Sequence, residues 1–493
     1  MTEQVQLSKS KVIAGHQCAR RLWLQCHQPD LATPTDPSTQ AIFDAGTDVG
    51  RRAHELFPGG VLVDEWDFTR ARARTETLMA NPGVPAIFEA AFVHDGVRIR
   101  VDVLERLGAG AWGLREVKSA SRVKEVYLDD VAVQLYVLEG AGLRVPSTEL
   151  LHVDTRYTRG EGPIDWRLLF YRADVTALAR RRQPEVPVLV TDLHRTLALA
   201  DAPVIEPSAH CWTPYGCEFW GHCTLEKPED WIYHLPSLRI ARKVALLAAG
   251  IERITDIPDD AELGAVPDRI RSVLRSGQPY VSPDLAPALA DLGPPACYLD
   301  FETMSPAIPL YPLTRSYERI PFQWSVHRVA ADGQVSHREF LANGRADPRR
   351  ELAEALLDVL GETDEPILVY SSFESSVLND LAWTLPDLAG RLQAVRARLG
   401  DLWQVVRAHV YHPRFGYSFS LKSVAPALVP GFGYDDLDGI AEGSAAASAF
   451  PRLVDGGLPE TEAARLRKAL LAYCERDTLA LVELHRALRA HSS

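Results

Sequence analysis

Along Val97–Leu104 apolar and polar residues alternate at every second position, strand-like runs flank this segment, and the period then lengthens to that of a helix. Ala86-Ile-Phe-Glu-Ala-Ala-Phe92 and Val97-Arg-Ile-Arg-Val-Asp-Val-Leu104 predict two strands joined by a turn at Asp95-Gly96. Ala111 to Lys118 predicts a third, and a helix follows from about Tyr127. Upstream, residues 8 to 28 predict one helix with Val12, Ile13, Leu22 and Leu24 on its apolar side, and Ala41 to Phe57 a second. Past residue 230 the pattern turns helical, from Leu235 to Ala249 with Gly250 closing the helix and again around Asp268 to Arg275. Strand-like runs return at Pro295–Thr303, Gln323–His327, Glu339–Leu341 and Ile367–Tyr370, with helices at Pro348–Leu360 and Glu460–Arg489. This is an α/β pattern in three parts: residues 1–230, a helical connector over 231–293, and residues 294–493.

A chain of 493 residues is too long for one ordinary core, which agrees with several units. Its 46% hydrophobic and 24% charged residues describe a folded soluble protein, and no apolar run approaches the ~20 residues of a membrane span. The amino terminus is polar through Ser10, so no secretory leader is read there and a cytoplasmic location is expected. A net charge of -13 speaks against a nucleic-acid partner until its distribution is considered. From Arg391 to Ser423 the bases Arg391, Arg396, Arg398, Arg407, Arg414 and Lys422 face only Asp401. Trp403, Tyr411, Phe415, Tyr417 and Phe419 lie among them, and charge interleaved with stacking surface suits a single strand.

Three groups of acids carry chemistry. Alternation along Pro295–Thr303 points Asp300 and Glu302 to the same face, Glu374 follows the apolar run Ile367–Tyr370, and Tyr473 and Asp477 are one helical turn apart. Asp380 and Asp401 stand in reserve. Nearer the amino terminus Asp102 precedes Glu116-Val-Lys118, in which carboxylate and ammonium share a face; His54, Glu89 and Gln134 flank them in sequence. A divalent ion held by Asp102 and Glu116 would generate a nucleophilic water, with Lys118 beside it. Cys211, Cys217 and Cys223 recur with five residues between neighbours, and a cytosolic chain makes metal binding the expected use of such a group. Cys26, Cys297 and Cys474 read as ordinary buried cysteines.

Leu299-Asp-Phe-Glu-Thr303, Ile320-Pro-Phe-Gln323, Phe373-Glu374 and Tyr473-Cys-x-x-Asp477-Thr resemble the DEDD exonucleases, the DnaQ-like branch of the RNase H fold. Glu374 stands where that family usually has Asp. The resemblance implies Mg2+ or Mn2+ held by Asp300, Glu302, Glu374 and Asp477, Tyr473 orienting water, Lys422 near a phosphate, and removal from 3' ends; Arg407 and Arg414 of the basic stretch are the further nucleic-acid contacts expected. Asp102, Glu116, Lys118 and Gln134, with His54, resemble the RecB-type PD-(D/E)XK nucleases. That branch implies a 4Fe-4S cluster on Cys18, Cys211, Cys217 and Cys223; four thiolates suit zinc as well, and His210 and His222 are substitute ligands. A RecB-like half followed by a DEDD-like half resembles a bacterial family of unassigned function. A nuclease on single-stranded DNA, with RNA as the other polymer, in repair, recombination or phage defence, is the expectation. A nucleic-acid-binding adaptor with inactive centres is the alternative.

Overall fold

The computed structural model describes residues 6–435, 437, 440, 442–454 and 456–492. It is a mixed α/β protein of two compact units, one comprising Met1–Glu226 and Pro306–Tyr317, the other Lys227–Ser305 and Glu318–Ser493. The three-part division expected from sequence therefore becomes two. Residues 231–293 belong to the second unit, and residues 306–317, which sequence patterning left with the carboxy-terminal part, belong to the first.

The first unit is built on a sheet of β1 (Leu7–Ser8), β2 (Val61–Leu62), β3 (Ala86–His94), β4 (Val97–Gly108), β5 (Ala111–Lys118), β6 (Arg144–Val153) and β7 (Phe170–Asp174). Its order is β2-β3-β4-β5-β6-β7, with β1 parallel to β4. β3, β4 and β5 are antiparallel neighbours, whereas β5 and β6 are parallel and need a crossover. The helix Glu125–Gly140 supplies it, burying Leu128, Val131, Leu135 and Leu138 in the main core. The helix expected over residues 8–28 breaks into Lys9–Gln17 and Ala19–His27, because Cys18 takes extended backbone (φ −160°) between them. On the other face, Ala307 packs with Phe57, Phe88, Val103 and Leu151. Arg159 holds that segment by donating to the carbonyls of Pro309 (3.0 Å) and Leu310 (2.5 Å).

In the second unit β9 (Ala296–Met304), β10 (Ile320–Val329), β11 (Val335–Leu341), β12 (Ile367–Val369) and β13 (Leu399–Asp401) form a sheet of order β11-β10-β9-β12-β13. β9, β10 and β11 are antiparallel, and β12 runs parallel to both β9 and β13. One face meets the helices Arg349–Leu360 and Phe373–Thr384 through Leu299, Phe301, Leu352, Leu356, Val377 and Leu381. The other lies under the long helix Glu460–His491, whose Tyr473, Cys474, Thr478, Leu481 and His485 are buried. Glu460 and Glu462 in its first turn and Arg489 and His491 in its last complement the helix dipole.

The expected connector adds no separate body. β8 (Tyr280–Val281) pairs with β14 (Val410–Tyr411), and Arg269 donates to the Arg407 carbonyl at 2.7 Å. A helix-hairpin-helix, which a helix, the Gly250–Ile251 turn and a second helix would suggest from sequence, is not formed there: residues 249–264, with a 3-10 turn at Ile254–Asp256, separate Ile240–Ala248 from Ala265–Ser276. That spacing is too long for a tight hairpin to aim backbone amides at one phosphate.

Leu299 is fully buried at the centre of β9, where truncation leaves a cavity that neighbouring strands cannot close. Leu299→Ala is expected to lower stability by about 2–5 kcal/mol. Amide hydrogen exchange should report it as lost protection in β9, β10 and β12.

Candidate metal centres

At the carboxyl end of β12 the chain turns into the helix Phe373–Thr384, which puts Glu374 in its first turn. Beside it on β9, alternation brings Asp300 and Glu302 to the face lying opposite Ser325 and Gln323 of β10. The helix Glu460–His491 crosses that face and contributes Tyr473 and Asp477. All five side chains line one cavity of about 510 Å³. Ligands in open α/β sheets bind in this kind of crevice, beyond the carboxyl ends of parallel strands.

The cavity is electrostatically unbalanced. Among its described lining residues Lys422 is the one basic side chain, set against four carboxylates. Glu302 and Glu374 are buried, while Asp300 and Asp477 keep part of their surface open. Burial and the neighbouring acids hold Asp300 and Glu302 well above the ordinary carboxylate range, and Lys422 opposes the shift at Glu302. Burial raises Asp477, against hydroxyl contacts from Tyr434 and Tyr473, and pushes Glu374 up to about 7. Burial and Asp477 raise Tyr473, so the phenol keeps its proton. Asp477 Oδ1 is buried and accepts no hydrogen bond from any described residue. An oxygen-rich, negatively charged pocket with an orphaned carboxylate oxygen fits a hard divalent cation.

Cys474, read from sequence as an ordinary buried cysteine, faces this centre: its thiol lies 3.5 Å from Asp300 Oδ2, and Asp300, Glu302 and Cys474 bring ligand atoms within 4.8 Å of one another. The i,i+3 spacing from Cys474 to Asp477 was the available signal. Gly443 was also missed; a Cβ there would stand 3.6 Å from Glu302 Oε2. The two reserve acids have other work. Asp380 pairs with Arg319 at 3.1 Å, and Asp401 caps a helix by accepting from the Trp403 amide at 2.9 Å.

In the first unit Asp102 of β4, Glu116 and Lys118 of β5 and Gln134 of the crossover helix come together, with two residues sequence reasoning overlooked. Lys118 Nζ lies 2.6 Å from Glu116 Oε1 and 2.7 Å from Asp130 Oδ2, and Lys9 Nζ reaches the same Glu116 oxygen at 2.8 Å. Gln134 donates to Glu116 Oε2 at 2.6 Å and leaves its own Oε1 buried without a partner. Asp130 stands one turn before Gln134, a spacing that could have flagged it; Lys9 arrives from a distant helix with no local signal. Burial and then Glu116 push Asp102 up to about 7, although its Oδ2 accepts the Val117 amide at 2.7 Å. Burial works against the charge of Glu116 too, but Lys118 and Lys9 overcome it and hold that carboxyl low. Glu89 sits at φ 57° in β3 between Phe88 and Ala90, whose pairing with β4 keeps its register, and burial raises its pKa against Arg100 and Lys9. His54 instead stacks on Phe88, centroids 3.8 Å apart, and burial lowers its pKa.

Cys18, Cys211, Cys217 and Cys223 line one small pocket with Arg20, Arg21 and His210. The break at Cys18 places its thiol at the head of the helix Ala19–His27. Gln17 fastens the loop by donating to the carbonyls of His210 and Tyr215, each at 2.7 Å. Burial raises Cys211, Cys223 and Cys217, the last to about 11, with Arg20 and Arg21 pulling Cys223 and Cys217 the other way. Four converging sulfurs beside two guanidinium groups fit an anionic thiolate centre.

The stacking surface expected between Arg391 and Ser423 is corrected for three of its five rings: Tyr411, Phe415 and Phe419 are buried and pack on one another, while Trp403 and Tyr417 stay partly exposed. Apolar rings fill a core in preference to waiting in water. Arg407 lies over Trp403 and donates to Ser237, and Arg414 donates to the Ala427 carbonyl; neither lines the cavity. Lys422 does, its ammonium 4.8 Å from the centre of the Tyr473 ring. Tyr136 points away from Gln134 and donates to Asp95 at 2.8 Å.

A family model described as a domain of unknown function (DUF2779) matches residues 297–420, a span that takes in Asp300, Glu302 and Glu374 and stops before Tyr473 and Asp477. None of the curated proteins compared with the chain matches it.

The four carboxyls of the second unit hold their protons more tightly in the folded than in the unfolded chain. In EDTA the fold should therefore gain stability as pH falls through about 7 toward the ordinary carboxylate range, and lose it as pH rises again. Melting temperature against pH is expected to show this slope, Glu374→Gln to reduce it, and Mg2+ to flatten it.

Proposed function

We propose that this chain is a metal-dependent nuclease with two centres, its second unit an RNase H-like DEDD exonuclease and its first a RecB-type PD-(D/E)XK nuclease. The observation that carries the reading is the convergence of Asp300, Glu302, Glu374 and Asp477 on one cavity in which Lys422 is the one basic side chain among the described lining residues. These residues would hold Mg2+ or Mn2+, which when bound supplies an activated water and stabilises charge on the leaving oxygen. Tyr473 orients the water through its protonated hydroxyl beside Asp477. Lys422 meets a phosphate at the cavity wall. The thioether-free, four-sulfur pocket of Cys18, Cys211, Cys217 and Cys223 would hold a 4Fe-4S cluster that ties the two ends of the first unit together, zinc being the other thiolate-bound choice.

A second reading concerns the first unit alone. Glu116 Oε1 already receives both Lys118 and Lys9, so the acids that would bind metal are neutralised by the protein itself. In that reading Asp102 and Glu116 support the fold and binding of nucleic acid, and hydrolysis belongs to the second unit.

End-labelled single-stranded DNA with Mn2+ separates these outcomes. Asp300→Asn is expected to slow release from 3' ends by about 10²-fold or more. A further loss in Asp102→Asn supports two working centres, and no loss supports a dormant first one; cleavage indifferent to both changes would overturn the nuclease reading. Iron and sulfide that copurify anaerobically and disappear in Cys217→Ser would support the cluster, and zinc in their place would reject it.

A further inference from the structure

A second set of donors lies on the same helix and sheet face, outside the carboxylate cavity. His327 of β10 and His337 of β11 are directly paired across the two strands, and their rings stack with centroids 4.4 Å apart. Glu475 of the helix Glu460–His491 completes the group, its Oε1 3.7 Å from His337 Nδ1, and the three residues bring ligand atoms within 4.8 Å of one another.

What distinguishes this group from a plain core pair is how the outer ring nitrogens are held. His327 Nδ1 lies 2.8 Å from Thr478 Oγ1, and His337 Nε2 lies 2.9 Å from Ser325 Oγ. The two hydroxyls are themselves 2.7 Å apart. Each imidazole thus has one nitrogen engaged by a hydroxyl; with those nitrogens donating, the other nitrogens, His327 Nε2 and His337 Nδ1, carry the lone pairs, and His337 Nδ1 is the one that faces Glu475. Metal-binding histidines are oriented in this way, by a hydrogen bond to the nitrogen that does not ligate. The burial is graded as well: His327 is buried, His337 intermediate and Glu475 exposed, so an ion has an entry path from solvent. Glu339, opposite Ser325 in the β10–β11 register, is electrostatically coupled to both His337 and Glu475 and is the next acid within reach.

We propose that His327, His337 and Glu475 form a separate site for a first-row transition metal of the zinc class, which ties the β10–β11 hairpin to the helix bearing Tyr473 and Asp477. Two imidazoles and a carboxylate suit zinc and not magnesium, whose preference is for oxygen ligands alone. The site stands on its own donor geometry and does not depend on the nuclease reading.

The test is calorimetric titration of Zn2+ into the metal-stripped full chain, with excess Mg2+ present to saturate oxygen-only sites. Wild type is expected to take up one equivalent more than His337→Gln and Glu475→Gln, both of which change partly open positions that the fold tolerates. Ser325→Ala is expected to keep the stoichiometry and weaken the site about 10-fold or more, because it frees the His337 ring. Zinc held by the four cysteines stays in all these variants and is subtracted by the comparison. If His337→Gln and Glu475→Gln bind as much zinc as tightly as wild type, the two histidines are a hydrogen-bonded core pair and the proposal fails.

Discussion

Like charges cannot be gathered inside a protein unless something positive meets them. Two unit charges about 4 Å apart repel by about 4 kcal/mol at an effective dielectric of ~20, and desolvation adds to that. Both acid clusters of this chain face the problem, and they solve it differently. In the first unit Lys9 and Lys118 close on Glu116 and Asp130, and the cluster is neutralised from within. In the second unit Lys422 meets four carboxylates, and the fold answers with raised pKa values and an oxygen on Asp477 that no described residue satisfies. The first cluster carries two ammonium groups of its own, although burial and Glu116 still push Asp102 up to about 7. The second is complete only with a proton or a cation supplied from outside.

That contrast bears on how each centre could work. A carboxylate that already accepts two ammonium groups must release one before it can ligate an ion, so metal affinity at Asp102 and Glu116 is set against an ion pair with one partner on a remote helix. Lys9 is the natural group to move, since it lies at the start of the helix Lys9–Gln17 while Lys118 is fixed within β5. At Asp300, Glu302, Glu374 and Asp477 the described internal partners are weaker: the Cys474 thiol at Asp300, the Ser371 hydroxyl at Glu374 and the field of Lys422 on Glu302 and Asp477. An incoming cation would relieve the repulsion among the four acids.

The strands and their chemistry were legible in the sequence because both obey period two: Asp300 with Glu302 and Glu116 with Lys118 share faces for the same reason that the neighbouring Leu299, Phe301 and Val117 are buried. The helix pair Tyr473 and Asp477 followed from one turn of spacing. What could not be seen depends on contacts far apart in sequence. Lys9 meets Glu116 across more than one hundred residues, residues 306–317 join the first unit from within the second unit's strand order, and the aromatic run Tyr411–Phe419 is core because β8 brings Tyr280 and Val281 alongside it. Local pattern fixes which face a residue is on. It does not say what covers that face.

The long helix Glu460–His491 shows how one element can serve several ends. Tyr473 and Asp477 lie a turn apart and meet the carboxylates of β9; Cys474 and Thr478, one residue on, meet Asp300 and the Ser325–His327 edge of β10; Glu475 reaches His337. Successive positions around the helix therefore face successive strands, in the order β9, β10, β11. Any shift of this helix along its axis would move all three sets of contacts together. The buried bond between Tyr298 and His485 at 2.9 Å, two turns further along, fixes the axial register that both donor sets require.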